Sequence, residues 1–389
     1  MAPSERRDGV LVIGGGYAGL HAVRAIERLG IAATVIDRTG DHDFVTRLAA
    51  VAGGAAPTGD ARQPLERFAR SVEVGSVISI DDGAVELADG RRIEADAVVI
   101  TAGAEPSRPA IEGIEHAAGL RTADDAFALR TAAAEVASVV IVGGGATGVQ
   151  LAGALTHARP EIRVHLVEGE SHLLAGLPAG LGTGAERILA GRGAELHLGH
   201  PVDRIDPEGV YVDGAFLEGI VVWAGGFAAD AARLGVPTTG DGRIAIDADL
   251  RVRGLLRTFA AGDVAAHVDR HGRALPMSAQ TAVRAGTVAG SNAARVVRGE
   301  STEPAVLEQI GWVLDLAGRR GVAQLGPLVL AGPVADLVPP LLHHAVDIKD
   351  LIEIGGLGAL RFAPALIPCR ATPTWPAWPM RPSPATSSP

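Results

Sequence analysis

Two stretches constrain this chain more than anything else in it: "VLVIGGGYAGLHAV", beginning at Val10, and "VVIVGGGATGVQLA", beginning at Val139. Each is a short apolar run, then three glycines, then apolar residues at helical spacing. That is the pattern of a buried strand, a tight turn and a helix. The first, third and sixth positions of each turn are Gly14, Gly16 and Gly19, and then Gly143, Gly145 and Gly148. The first glycine makes the turn, the second lets backbone approach a pyrophosphate, and the third lets helix pack close on strand. The helices then begin with Tyr17 and Ala18 in one copy and Ala146 and Thr147 in the other. Their free N–H groups and positive dipole ends suit phosphate. An acidic residue closes the next apolar run in each copy, Asp37 in "ATVID" and Glu168 in "VHLVE", where a carboxylate accepts from ribose hydroxyls. The leading glycines stand 129 residues apart, so this is a duplicated βαβ unit and not a solenoid repeat. Two turns predict two bound dinucleotides, with electron transfer between them.

Glu168 also bears on which nucleotide binds. A carboxylate there bonds a 2′-hydroxyl and repels a 2′-phosphate, and the following "GESHLL" has no arginine to receive one. NADH is therefore expected rather than NADPH.

Other features bound the remaining possibilities. The chain of 389 residues is long enough for two or three domains. A formal net charge of −10 argues against a nucleic-acid binder. Cys369 is the only cysteine, which excludes an intrachain disulfide, a CxxC redox pair and a cysteine zinc site. His343 and His344 are adjacent and face different directions, so no metal site is expected. "MAPSERRDGV" has no apolar core of signal-peptide length, and the most apolar stretch, "GPLVLAGPVADLVPPLL", is broken by Asp336 and prolines. A cytoplasmic protein, soluble or peripheral at the membrane, is expected.

Along the chain, Phe44 to about Pro64 reads as irregular, and "VEVGSVISIDDGAVELADGRRIEADAVVI" as hairpin strands. An alanine-rich helix is predicted over Ala123–Val136 and another from Ser278 to Val297. Residues 301–362 mix apolar and turn signals, and the Pro-rich end reads as disordered or extended.

Further motifs resemble those of the FAD-dependent pyridine nucleotide oxidoreductases, the two-dinucleotide-binding flavoproteins, and within them the type II NADH dehydrogenase-like group. "TAGAEP" at Thr101–Pro106 resembles the segment leaving the FAD domain, and "FAAGDVA" the second FAD motif. "LPMSAQTAVRAG" resembles the signature "AQxAxQxG", and "LAGRRGVAQLG" at 316–326 also looks like this group. The resemblance implies an α/β fold with two Rossmann-like domains, of glutathione-reductase-like architecture, plus a small C-terminal region. FAD would lie at the first turn and NADH at the second. The implied division is 1–115 and 241–300 for FAD, 116–240 for NADH, a C-terminal region 301–363 and a tail 364–389. Arg38, Thr101, Ala102, Gly103, Gly262, Asp263 and Ala279 would join the FAD site, with Asp263 on the ribitol chain, and Gly225 the NADH site. Gln280 would lie near the flavin. Read alone, Gly262-Asp263 is a common turn dipeptide and Gln280 an exposed helix residue.

In such a protein the cofactors carry the hydride chemistry and the chain supplies alignment and electrostatics. With a single thiol, no disulfide relay exists, and reduced FAD would pass electrons directly to an acceptor such as a quinone. Three departures stand out. Arg284 replaces the signature's second glutamine, and Gln150 stands where "GVELAG" has glutamate beside the nicotinamide. "HDFVTRLAAVAGG" puts Thr46 and Arg47 where quinone-facing residues are expected. Arg47 is either a solvated loop residue or a cation facing flavin or acceptor. Two other readings stand beside the quinone reductase: a reductase of a small iron–sulfur protein, docked on a basic face that includes Arg47 and Arg284, and a slow redox-sensing flavoprotein. Peripheral membrane attachment, through "DLIEIGGLGALRFAPALI" or Trp375 and Trp378, and a homodimer are left open.

Overall fold

The strand Val10–Ile13 is buried at all four positions, so it needs cover on both faces and sits inside a parallel sheet. The computed structural model, which describes residues 4–326 and 328–330, places it third in a five-stranded parallel sheet. The order is Thr258–Ala260, Ala97–Ile100, Val10–Ile13, Ala33–Asp37 and Val72–Val74. The second copy builds a four-stranded parallel sheet in the order Glu195–Leu198, Arg163–Glu168, Ser138–Val142, Ile220–Trp223. Each unit also carries antiparallel strands, Val77–Glu94 in the first and Val202–Glu218 in the second. Their apolar faces cover one side of each sheet. Leu11, Ile13, Val98 and Ile100 thus share a core with Ile80, Val85 and Ile93.

Six α-helices are described: α1 (Tyr17–Arg28), α2 (Leu48–Ala52), α3 (Ala123–Ala133), α4 (Ala146–Ala158), α5 (Ala179–Ala190) and α6 (Ala279–Val297). After the second unit the chain returns to the first, adding Thr258–Ala260 at the sheet edge and laying α6 on α1. These helices meet at backbone distance. A Cβ on Gly286 would stand 2.1 Å from the Ala18 carbonyl oxygen, and one on Gly290 2.4 Å from that of Ala22.

Two segments differ from the sequence reading. Residues 44–64 are ordered: Asp41–Asp43 pairs with Arg62–Pro64, and α2 buries Leu48, Ala49, Val51 and Ala52. Five residues are too few to show helical periodicity, and tertiary packing holds this turn. Helix α3 stops at Ala133 rather than Val136, and begins with a capping box between Thr122 and Asp125. Within the stretch that was hard to read, Gly311–Asp315, Gly321–Leu325 and Leu328–Leu330 form an antiparallel sheet. It packs Leu314, Leu316 and Val322 into the core of the second unit. The expectations for His343, His344, Cys369, Trp375, Trp378, "DLIEIGGLGALRFAPALI" and the Pro-rich end lie outside the described residues. No described helix is long and apolar enough to cross a membrane.

Candidate functional site

The two glycine turns are near-copies of each other. Gly14 has φ +103° and Gly143 φ +116°, in the region that favours glycine. A Cβ at Gly14 would also lie 2.6 Å from the Thr101 carbonyl oxygen, and one at Gly143 2.4 Å from that of Ala224. Gly19 and Gly148 fill the packing role, since their Cβ atoms would fall 2.0 and 1.9 Å from the carbonyl oxygens of Gly14 and Gly143. Gly16 and Gly145 are the opposite case: a Cβ there would meet nothing within 4 Å.

That open space lies at bare helix ends. Helices α1 and α4 have no side-chain cap and no acidic residue in the first turn, whereas Thr122 caps α3 and Ser278 caps α6. An uncapped N-terminus leaves N–H donors and positive potential facing outward. Open room beside helix ends that carry no side-chain cap fits a pyrophosphate in both units.

The two carboxylates are held in matching ways. Asp37 accepts the Gly15 N–H at 2.8 Å through one oxygen and the Thr39 N–H at 2.9 Å through the other. Glu168 accepts the Gly144 N–H at 2.6 Å and the Glu170 N–H at 2.8 Å. Backbone bonds fix each carboxylate, and its remaining lone pairs are free to accept from a ligand.

Around the first turn lies a cavity of about 400 Å³, lined by Gly14, Gly16, Tyr17, Ala18, Asp37, Arg38, Thr101, Ala102, Gly103, Gly262, Asp263 and Ala279. A second cavity, about 550 Å³, is lined by Gly143, Gly145, Ala146, Thr147, Glu168 and Gly225. Both are of ligand-pocket size. Asp263 follows Gly262, whose φ is +79°. Burial pushes its carboxyl above the usual range, opposed by the charges of Arg121 and Arg243. Nearby, burial and the Arg243 charge hold His267 down at about 4, offset in part by a backbone hydrogen bond at Gly262.

A seam joins the cavities. Glu105–Pro106, continuing from the first, pairs antiparallel with Phe227–Ala228, continuing from the second. Ser107 donates its N–H to the Gly226 carbonyl at 3.0 Å and its hydroxyl to that of Gly225 at 3.1 Å. Arg121 spans the seam, donating to the Ala104 carbonyl at 2.8 Å with its guanidinium 5.7 Å above the Phe227 ring.

Four residues singled out in the sequence lie outside both linings. Arg47 pairs with Asp60 at 2.8 Å, its side chain 11% exposed. Gln280 accepts the Ile310 N–H at 2.9 Å, and Arg284 donates to the Glu308 carbonyl at 3.1 Å, so both tie the chain near 310 to α6. Gln150 is half-buried one turn into α4. Conversely, Arg121 and Arg233 line the first cavity, and Phe227 and Trp312 the second, with no motif to mark them; Met277, also in the second lining, stands in the quoted "LPMSAQTAVRAG" without a role of its own there. The sequence signal at Arg121 was only the neighbouring helix cap. Trp312 arrives from a sheet whose pairing could not be read.

Two glycine cradles, each with a backbone-held carboxylate at the end of the next strand and joined by a hydrogen-bonded seam, define a protein of two dinucleotide-binding folds. Residues 8–286 match the pyridine nucleotide-disulphide oxidoreductase family, and the chain belongs to it. The chain is NADH dehydrogenase-like. It is 28% identical over 400 residues to the type II NADH:quinone oxidoreductase of Staphylococcus aureus strain NCTC 8325, covering 91% of this chain and 98% of that protein. Its fold matches NDH2 of Plasmodium falciparum, solved in complex with NADH, with a TM-score of 0.77 at 14% identity, covering 92% and 97% of the two chains. The water-forming NADH oxidase of Lactobacillus brevis, bound to NADH, aligns with a TM-score of 0.70 at 24% identity, over 83% and 76%.

Proposed function

We propose that this chain binds FAD in the first cradle and NADH in the second, takes a hydride from NADH, and passes electrons directly to a quinone. The observation that carries the reading is the seam: two open cradles on separate sheets, with their exit strands hydrogen-bonded to each other. Residues 1–115 and 241–300 would form the FAD domain, and 116–240 the NADH domain.

FAD, when bound, supplies the two-electron chemistry. The residues supply binding and alignment. The N–H groups at Gly16 and Tyr17 hold the pyrophosphate, Asp37 accepts from the ribose, and Asp263 accepts from the ribitol hydroxyls. The first turn of α6 lines the first cavity at Ala279 and Ala282, and so presents its positive end to negative charge there. In the second cradle Glu168 accepts from the 2′-hydroxyl. Among its described lining residues there is no arginine or lysine to receive a 2′-phosphate, which supports NADH over NADPH. The seam fixes the angle between the sites, and direct transfer depends on such alignment, at reacting distances of about 3–3.5 Å.

A chain with one cysteine has no disulfide relay, so electrons leave without a protein thiol pair. The likeness to the Staphylococcus aureus enzyme supports quinone as the acceptor. A basic docking face for an iron–sulfur protein is less supported, because Arg47 and Arg284 are engaged within the chain. A hydrophobic acceptor favours a place at the cytoplasmic face of the membrane, attached peripherally. The test is anaerobic stopped-flow mixing of the NADH-reduced holoprotein with a soluble menaquinone or ubiquinone analogue. Reoxidation on the millisecond-to-second scale supports the acceptor; a flavin left reduced by every quinone refutes it.

A further inference from the structure

The strands Arg163–Glu168 and Glu195–Leu198 are neighbours in the second parallel sheet, with His165 opposite Glu195 and Val167 opposite His197. Side chains alternate along a strand, so residues 165, 195 and 197 share one face. It is the face of Val167, which packs with Val140, Val142 and Trp223, and not the one that buries Val164 and Leu166. The three side chains converge. His165 Nδ1 is 3.2 Å from His197 Nε2 and 3.3 Å from Glu195 Oε2, and one ligand atom from each residue lies within 4.8 Å of the others. None of them lines either cavity.

We propose that His165, Glu195 and His197 bind one divalent transition-metal ion of the zinc class. Two imidazoles and a carboxylate suit Zn²⁺ and its neighbours rather than Mg²⁺ or Ca²⁺. With metal–ligand bonds of about 2.0–2.1 Å in tetrahedral geometry, the ligand atoms stand about 3.3 Å apart. Both separations from His165 Nδ1 fall on that spacing. A hydrogen bond alone accounts for less, because Nδ1 as a donor has one proton for two neighbours at nearly equal range, and as an acceptor it leaves the Glu195 carboxylate without a donor from it. The other carboxylate oxygen lies 3.7 Å from Arg163 Nε, which leaves Oε2 as a single ligand. The site has a closed floor and an open mouth: the His165 side chain is 6% exposed and that of Glu195 52%. The open side admits the ion and leaves a position for water.

The test uses the full chain, stripped with chelator and dialysed against Zn²⁺, with Co²⁺ as a spectroscopic probe. One Zn²⁺ should bind per chain at micromolar free metal. Co²⁺ should give the strong visible bands of a four-coordinate site, and Zn²⁺ should raise the thermal midpoint. Glu195→Gln, at an exposed position that leaves the fold intact, and His197→Gln should each weaken binding at least tenfold and abolish the bands. His172→Gln, at an exposed histidine beside Glu186, should change none of these. The absence of saturable binding would overturn the assignment, and so would binding unchanged in both ligand variants. None of these readouts depends on nucleotide or quinone chemistry.

Discussion

Gly145→Ala and Gly148→Ala add the same methyl three residues apart, and the structure separates their consequences. At Gly145 the methyl meets nothing within 4 Å, and φ −73° with ψ −175° is ordinary extended backbone. The fold should lose only helix-cap preference, about 1 kcal/mol or less, or about a degree in Tm for a chain of this length. The methyl does fill the space into which the pyrophosphate must come. Displacing it costs one charge-assisted hydrogen bond, about 1.5–3 kcal/mol, or about 10- to 100-fold in NADH affinity. At Gly148 the Cβ would lie 1.9 Å from the Gly143 carbonyl oxygen. Helix and strand must part by more than about 1 Å, an overpacking cost of about 1–3 kcal/mol that should lower stability as well as binding. Differential scanning fluorimetry gives the stability, and the NADH dependence of anaerobic flavin bleaching gives the affinity. Equal losses of stability in the two variants, or full NADH affinity in Gly145→Ala, would refute the reasoning.

Glu168→Gln removes the charge that repels a 2′-phosphate, so the NADH-to-NADPH preference should fall about tenfold, read as the ratio of kcat/KM values; an unchanged ratio would place selection elsewhere. Arg121→Met deletes the bond to Ala104 and the cation over Phe227. Stability should drop by about 1 kcal/mol, and the flavin-reduction rate should fall at saturating NADH while NADH affinity holds within about threefold. His267 titrates at about 4 in the fold against 6.5 when free. As pH falls below 6.5 the unfolded chain takes up this proton first, so stability is lost across pH 6.5 to 4, by about 3 kcal/mol in all. His267→Gln should flatten that window in denaturant titrations. His42, lowered in the same direction by burial, keeps some of the slope.

The cradles were legible because every part of them is local. A turn that needs glycine at φ +103° writes glycine into the sequence, and Asp37 and Glu168 stand one strand further on. What was not legible depends on which strands meet. The seam exists because Glu105–Pro106 finds Phe227–Ala228 across more than a hundred residues, and neither dipeptide carries a strand signal. Helix α2 has too few residues to show a period and is held by its neighbours. Arg47 and Gln280 stand at positions that the resemblance marks for acceptor and flavin, yet both bond within the chain, to Asp60 and Ile310. His165 and His197 read as unremarkable strand residues until the pairing register brings them together.

The most direct test of the central claim is the visible spectrum of the FAD-reconstituted protein under anaerobic titration with NADH. The account predicts a bound flavin whose absorbance near 450 nm bleaches in full with about one NADH per flavin, faster with NADH than with NADPH. A protein that retains no flavin, or a bound flavin that NADH leaves oxidised, would contradict it.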